Sequence, residues 1–175
     1  VETTMANDRR QNWQFETTAI HGGHVPDDGT RSVTTPIYPS STYRVDYPGD
    51  ESGYVYARWK NPTRLALEET LAKLENGTKA AAFSSGLAAL DAVLKLLKSG
   101  DHVVAVDDLY GGTMRQFERI ARRFGLDFSY VDGRDPVNFE RATKENTRLY
   151  WLEAPTNPLM HLIDIEAVAA LAKKR

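Results

Sequence analysis

The sequence predicts an α/β fold, a layer of parallel strands joined by crossover helices. Two observations carry this. From about residue 79 onward, short apolar or β-branched runs alternate repeatedly with helical stretches, and such alternation at short spacing calls for a parallel sheet. The strand-like runs also end in loops of small residues or prolines: Ser84-Ser85-Gly86, Asp107 to Gly112, and Glu153 to Pro158. In sheets of this kind ligands sit at the carboxyl ends of the strands, so these are the loops to read for chemistry.

Residues 1–60 stand apart from that pattern. They are rich in Thr, Gly, Pro, Ser and Tyr, show short extended runs and no helical period, and read as an irregular arm. The regular domain occupies residues 61–175. It opens with Asn61-Pro62, a capping side chain before a proline at the first helical position. Leu65, Leu67, Leu71 and Leu74 follow at helical spacing, and Asn76-Gly77 ends that helix. Residues 79–83 are a short apolar run that reads as a buried strand. Gly86 to Leu97 is a helix with Leu87, Leu90, Val93, Leu94 and Leu97 on one face. His102 to Val106 is a β-branched strand. Thr113 to Phe124 is a helix stopped by Gly125, and Leu126 to Val131 a strand. Asp135-Pro136 opens a short helix, Leu149 to Leu152 is a strand, and Asp164 caps a last helix over 165–174.

Composition narrows the function. The 175 residues suffice for one sizeable core, and 41% hydrophobic with 26% charged residues is an ordinary soluble balance. With 22 basic against 24 acidic residues, bulk electrostatics offer no grip on nucleic acid or a membrane surface. There is no cysteine, which excludes disulfides, thiolate metal sites and a cysteine nucleophile. The apolar stretch from Ala80 to Leu97 is interrupted by Ser84, Ser85, Asp91 and Lys95, so it is not a membrane span. The opening residues are polar and charged rather than signal-like, and the expectation is a cytosolic protein.

Each loop admits two readings. Ser84-Ser85-Gly86-Leu87 runs straight into a helix, whose unpaired N–H groups and positive dipole end suit a phosphate; equally, Ser85 is an ordinary N-cap. The segment is neither a Walker loop nor a dinucleotide fingerprint. Tyr110-Gly111-Gly112 could lay an aromatic ring on a flat ligand or form a plain glycine turn. Pro155 and Pro158 stiffen the segment that presents Asn157, a hydrogen-bonding side chain, or simply make a rigid turn. In the arm, Tyr54, Tyr56 and Arg58 share a face if extended, and Tyr56 with Arg58 would clamp a phosphate or merely line an edge. His21 and His24 flank two glycines without a supporting carboxylate cluster and are read as loop residues, with no metal site.

Taken together and in order, these motifs resemble one family. Thr18 to Gly23, Thr35-Pro36-Ile37-Tyr38, Tyr56-Ala57-Arg58 with Asn61-Pro62-Thr63, Ser84-Ser85-Gly86-Leu87, Tyr110-Gly111-Gly112-Thr113 and Glu153 to Pro158 are similar to the Cys/Met-metabolism enzymes that depend on pyridoxal 5'-phosphate (PLP). That family includes cystathionine γ-synthase, cystathionine γ- and β-lyases, methionine γ-lyase and O-acetylhomoserine sulfhydrylase.

The resemblance implies PLP fold type I, the aspartate-aminotransferase architecture, assembled as tetramers of close dimers and acting on sulfur amino acids. By the same resemblance, Ser85, Gly86 and Leu87 would hold the cofactor phosphate. Tyr56 and Arg58 would reach the phosphate in the neighbouring subunit's site. Tyr110 would stack on the cofactor ring and act in proton transfer, Asn157 would face the ring hydroxyl and the substrate carboxylate, and Glu153 would support it. Gly112 stands where methionine γ-lyases carry cysteine, so Gly112-Thr113-Met114-Arg115 looks more like the cystathionine γ-lyase and γ-synthase branch. Arg115 would meet the distal polar end of a long substrate or lie on the helix surface. The family's Schiff-base lysine and ring-nitrogen aspartate have no counterpart up to Arg175. The expectation is that the chain alone is not a competent enzyme and would expose a half-built sheet. A non-catalytic module binding a phosphorylated ligand is the alternative of a different class.

Overall fold

A computed structural model describes residues 13–24, 29–50 and 53–174, which divide into two compact units, one up to Ala82 and one from Phe83. In the first unit, α1 (Phe15–His21) is followed by irregular chain and then α2 (Pro62–Leu74). The helix α1 lies in the arm where no helical period was expected. Its seven residues are too few for an apolar repeat to register, and none of them is buried. For α2 the reading holds: the Asn61 side chain accepts the Arg64 N–H at 3.2 Å, with proline in the first turn. The same Asn61 donates from Nδ2 to the Tyr38 carbonyl (2.9 Å), and the Thr63 hydroxyl accepts the Tyr38 N–H (2.9 Å) and donates to the Pro36 carbonyl (3.1 Å). The Asn61-Pro62-Thr63 motif therefore caps a helix and anchors the Pro36–Tyr38 segment to it.

The run 79–83, expected as a buried strand, pairs with no strand among the described residues, and Phe83 is 48% exposed. An extended segment becomes a strand only through a ladder partner. Here the Ala82 N–H bonds instead to the Glu68 carboxylate at 2.9 Å.

The second unit is a three-stranded parallel sheet in the order β2-β1-β3, with β1 at His102–Val106, β2 at Asp127–Val131 and β3 at Thr147–Trp151. All five residues of the central strand are buried, as expected of a strand covered on both faces. Helices α3 (Gly86–Leu94), α4 (Gly111–Arg119), α5 (Val137–Ala142) and α6 (Ile165–Ala172) flank the sheet. Leu90 and Leu94 of α3, Phe117 of α4, Phe139 of α5 and Val168 of α6 join the β1 valines in one core. Phe117 is fully buried in it. It stacks on Phe128 at 4.6 Å between centroids and meets the Trp151 ring edge-on at 5.8 Å.

Strand ends and the end of α6 differ from expectation by one or two residues, and two helices differ by more. The helix expected to reach Leu97 stops at Leu94, where the backbone turns and leaves Leu96 83% exposed. The helix expected from Thr113 begins at Gly111, so both glycines lie in its first turn, and it breaks after Arg119 into a 3-10 turn over Ala121–Phe124. Gly125, at φ 85°, then turns the chain into β2. The Asp164 cap is as expected: its carboxylate accepts the Ala167 N–H at 2.9 Å. Among the described residues no helix is long and apolar enough to cross a membrane.

Candidate functional site

Three loops at the carboxyl ends of strand-like runs supply the candidate residues. At the N-terminus of α3, the Ser85 hydroxyl accepts the Ala88 N–H (3.2 Å) and the Ser85 carbonyl accepts the Ala89 N–H (3.1 Å). The cap reading of Ser85 is thus correct, and it leaves the phosphate reading intact. The N–H groups of Gly86 and Leu87 have no acceptor among the described residues, and a methyl group built on Gly86 would meet nothing within 4 Å. Two unpaired donors at the positive end of a nine-residue helix, with open space before them, fit an anionic group of phosphate size.

The loops after β1 and β3 face each other because those strands are neighbours. Glu153, just past β3, reaches across to the start of α4. Its Oε2 accepts the Tyr110 N–H at 2.7 Å and its Oε1 accepts the Thr113 hydroxyl at 2.7 Å. It caps a helix from a distance of 43 residues in sequence, putting a carboxylate where the helix dipole favours one. Thr113 is buried, 3% exposed, while the Tyr110 ring is 49% exposed. The ring lies against the α4 backbone: a Cβ built on Gly112 would fall 2.3 Å from Tyr110 Cε1. Only glycine at 112 leaves room for the ring there.

Asn157 is exposed on the β3 loop, between cis-Pro155 and cis-Pro158, and its amide has no partner among the described residues. Arg115 lies one turn into α4. With Leu87, Gly112 and Arg119 it lines a cleft of about 290 Å³ between α3 and α4, two helices linked by the Gln116 amide donating to Asp91 at 3.0 Å. The structure therefore brings Leu87 and Arg115 to one cleft and ties Glu153 to Tyr110.

In the first unit, Tyr56 makes an isolated antiparallel bridge with Thr42. The chain then turns at once, with the Trp59 and Lys60 N–H groups both donating to the Tyr56 carbonyl at 3.0 and 2.9 Å. The segment is not extended through Arg58, so the expected alternation ends at Tyr56. The turn still unites the pair, stacking the Arg58 guanidinium on the Tyr56 ring at 4.9 Å. Arg64, from α2, holds this turn by donating to the carbonyls of Ala57 (3.3 Å), Arg58 (3.4 Å) and Trp59. Sequence reading missed Arg64, although it directly follows the Asn61-Pro62-Thr63 motif. It also missed Thr113 and Asp108, whose partners lie 40 and 48 residues away.

Comparison with known proteins is concordant along nearly the whole chain. A family model described as Cys/Met metabolism PLP-dependent enzyme matches residues 16–175. The chain is 48% identical over 160 residues to a probable cystathionine gamma-synthase of Herpetosiphon aurantiacus, covering 91% of this chain and 50% of that protein. It is 43% identical over 171 residues to a cystathionine beta-lyase of Coxiella burnetii, covering 97% and 44% respectively. The crystal structure of metB from Corynebacterium glutamicum superposes with a TM-score of 0.87 at 43% identity, over 93% of this chain and 43% of that one. The chain thus spans half or less of the length of these relatives. The parallel α/β arrangement is the fold type I architecture expected from the motifs.

Proposed function

The chain belongs to the Cys/Met metabolism PLP-dependent enzyme family, and from that premise we propose that it forms part of a carbon–sulfur lyase or transferase acting on sulfur amino acids. The reaction proposed is γ-elimination or γ-replacement on cystathionine or an activated homoserine, the chemistry of trans-sulfuration. Methionine γ-lyase, β-lyase and sulfhydrylase activities are the alternatives within the family. The observation that carries the reading is the pair of unpaired Gly86 and Leu87 N–H groups behind the Ser85 cap, which suits the cofactor's phosphate.

Bound there, pyridoxal phosphate supplies an electron sink for charge developing next to the amino group of the substrate. The protein's part is binding, orientation and proton handling. Gly86 and Leu87 grip the phosphate through backbone donors. Tyr56 and Arg58 add a stacked, fork-shaped donor, contributed to the neighbouring subunit's site in a close dimer that pairs again into a tetramer. Tyr110 offers its ring face to the cofactor and its hydroxyl to a proton in transit. Glu153 has a supporting role close by, holding Tyr110 in place by accepting the Tyr110 N–H and the Thr113 hydroxyl. Asn157 brings a free amide to the ring hydroxyl and substrate carboxylate, and Arg115 meets the distal end of a long substrate.

The test compares pyridoxal phosphate with pyridoxal by equilibrium dialysis against the full-length protein, followed by an assay of cystathionine cleavage and formation. Preferential retention of the phosphorylated form is expected. Equal retention of both would remove the phosphate grip on which the reading stands.

A further inference from the structure

We propose that Asp108 is a positioning residue that fixes Asn157 for its ligand; the inference rests on the proposed role of Asn157 at the cofactor and substrate. Asp108 lies on the loop after β1, two residues before Tyr110, and is held there by its neighbour Leu109, which is buried in the core at 6% exposure. A single oxygen of its carboxylate, Oδ2, accepts two hydrogen bonds from the loop after β3. One comes from the Thr156 hydroxyl at 2.5 Å and the other from the Leu159 N–H at 2.9 Å.

These contacts bracket Asn157, one on the residue before it and one two residues after. Thr156 is itself 3% exposed, and its hydroxyl also accepts the His161 N–H at 2.8 Å. Its backbone closes the loop by donating to the His161 carbonyl (3.0 Å) and accepting the Met160 N–H (3.1 Å). No β ladder extends past Trp151, so the geometry of the segment that carries Asn157 depends on this knot, and the knot depends on Asp108. Without that carboxylate, a buried hydroxyl and a backbone N–H lose their common acceptor.

The tie also has a counterpart. Asp108, on the Tyr110 loop, sets the Asn157 loop, while Glu153, at the root of the Asn157 loop, sets Tyr110. Two carboxylates crossing in opposite directions hold Tyr110 and Asn157 in one fixed relation, as a site that must grip both a ring face and a ring edge requires.

The experiment uses the full-length protein loaded with pyridoxal phosphate and reads two quantities. They are the pH midpoint of the bound cofactor's visible absorption and the cofactor dissociation constant. Asn157→Ala is expected to move the midpoint by removing a hydrogen bond to the ring hydroxyl. Asp108→Ala should move it in the same direction and weaken cofactor binding roughly fivefold, the equivalent of about 1 kcal/mol. The double variant should match Asn157→Ala alone, because Asp108 acts through Asn157. Asp108→Asn keeps an acceptor oxygen and should stay near the wild-type midpoint. If Asp108→Ala does not fold, Thr156→Val, which removes the bridging hydroxyl only, must move the midpoint. A wild-type midpoint in Asp108→Ala or Thr156→Val, with Asn157→Ala shifted, overturns the role of Asp108 and leaves that of Asn157 standing. An unmoved midpoint in Asn157→Ala overturns the reading of Asn157 and the inference with it.

Discussion

The Glu153 carboxylate lies 2.7 Å from the Tyr110 backbone nitrogen and closes the first turn of α4 with its other oxygen on Thr113. A side chain at the end of one strand thus caps the helix that follows the neighbouring strand. Because the capped turn begins at Tyr110, the helix and the position of the proposed catalytic ring have one common support.

Replacing Glu153 by alanine should therefore lower both stability and activity. Loss of an ionised acceptor serving two donors is expected to cost about 1–3 kcal/mol, visible as a lower thermal midpoint. Thr113→Ala, which removes one of the two contacts, should cost less. In steady-state kinetics the Glu153 variant should lose kcat more than it raises KM, since it displaces Tyr110 without touching the phosphate grip. A fall in stability with kcat unchanged would make Glu153 a helix cap and nothing more.

Gly112 and Gly111 make a paired test of the Tyr110 ring. A Cβ at 112 would lie 2.3 Å from the ring, whereas one at 111 would have the Arg115 guanidinium as its nearest neighbour at an ordinary 3.6 Å. On helix propensity alone, alanine at either position gains up to about 1 kcal/mol. Gly111→Ala should follow that expectation and keep activity. Gly112→Ala should force the exposed ring off the α4 backbone and reduce turnover about tenfold or more, a cost on the order of 1–2 kcal/mol in the barrier. Equal activity in the two variants would mean that the ring does not need this seat.

What the sequence discloses follows the range of each interaction. Caps made by adjacent residues were legible: Asn61 before Pro62, Ser85 before Gly86, and Asp164 before α6. The central strand was equally plain, because a run buried on both faces is uniformly apolar apart from His102. The start of α4 was not legible, since two glycines argue against a helix and the cap that offsets them, Glu153, arrives from another strand. Likewise nothing local in Asp107-Asp108 or Thr156 announces their pairing. The run 79–83 shows the converse failure: its composition suits a strand, but a strand also needs a partner, and none is present among the described residues.

His102 gives the second unit a pH dependence. It is fully buried on β1, with Nδ1 at 2.8 Å from the Thr147 hydroxyl on β3 and Nε2 at 2.9 Å from the Ser129 hydroxyl on β2, so one ring ties all three strands. Burial first, then Lys144 and Arg122, hold its pKa below the ordinary imidazole value, against the opposing pull of Asp127. The unfolded chain therefore takes up this proton first as pH falls. Between about pH 6.5 and the lower folded value the unfolded state binds more protons, and stability drops as acid is added; above about 6.5 the contribution is complete. His102→Gln keeps hydrogen-bonding groups at the centre of the sheet without a titrating proton. Its urea midpoint should fall less than that of the wild type between about pH 7 and about pH 5. Parallel pH profiles would assign the acid sensitivity to other groups.

Arg58 and Arg64 separate a ligand contact from its support. The Arg58 guanidinium stacks on Tyr56 and forms no ion pair among the described residues, so its fork of donors is free for an anion. Arg64 commits three donors to the carbonyls of Ala57, Arg58 and Trp59 and pairs its Nε with Glu68 at 3.4 Å, so it is tied to the turn. In the full-length protein, Arg58→Ala should leave the circular dichroism and unfolding midpoint unchanged while raising the cofactor dissociation constant about 10-fold or more, as expected for a charge-assisted contact worth about 1.5–3 kcal/mol. Arg58→Lys should fall between, because it keeps the charge and loses the planar fork. Arg64→Ala should weaken cofactor retention and lower the unfolding midpoint together, since it frees the turn that presents Arg58. Unchanged cofactor affinity in Arg58→Ala would show that the stacked pair serves the fold of the arm and not the phosphate.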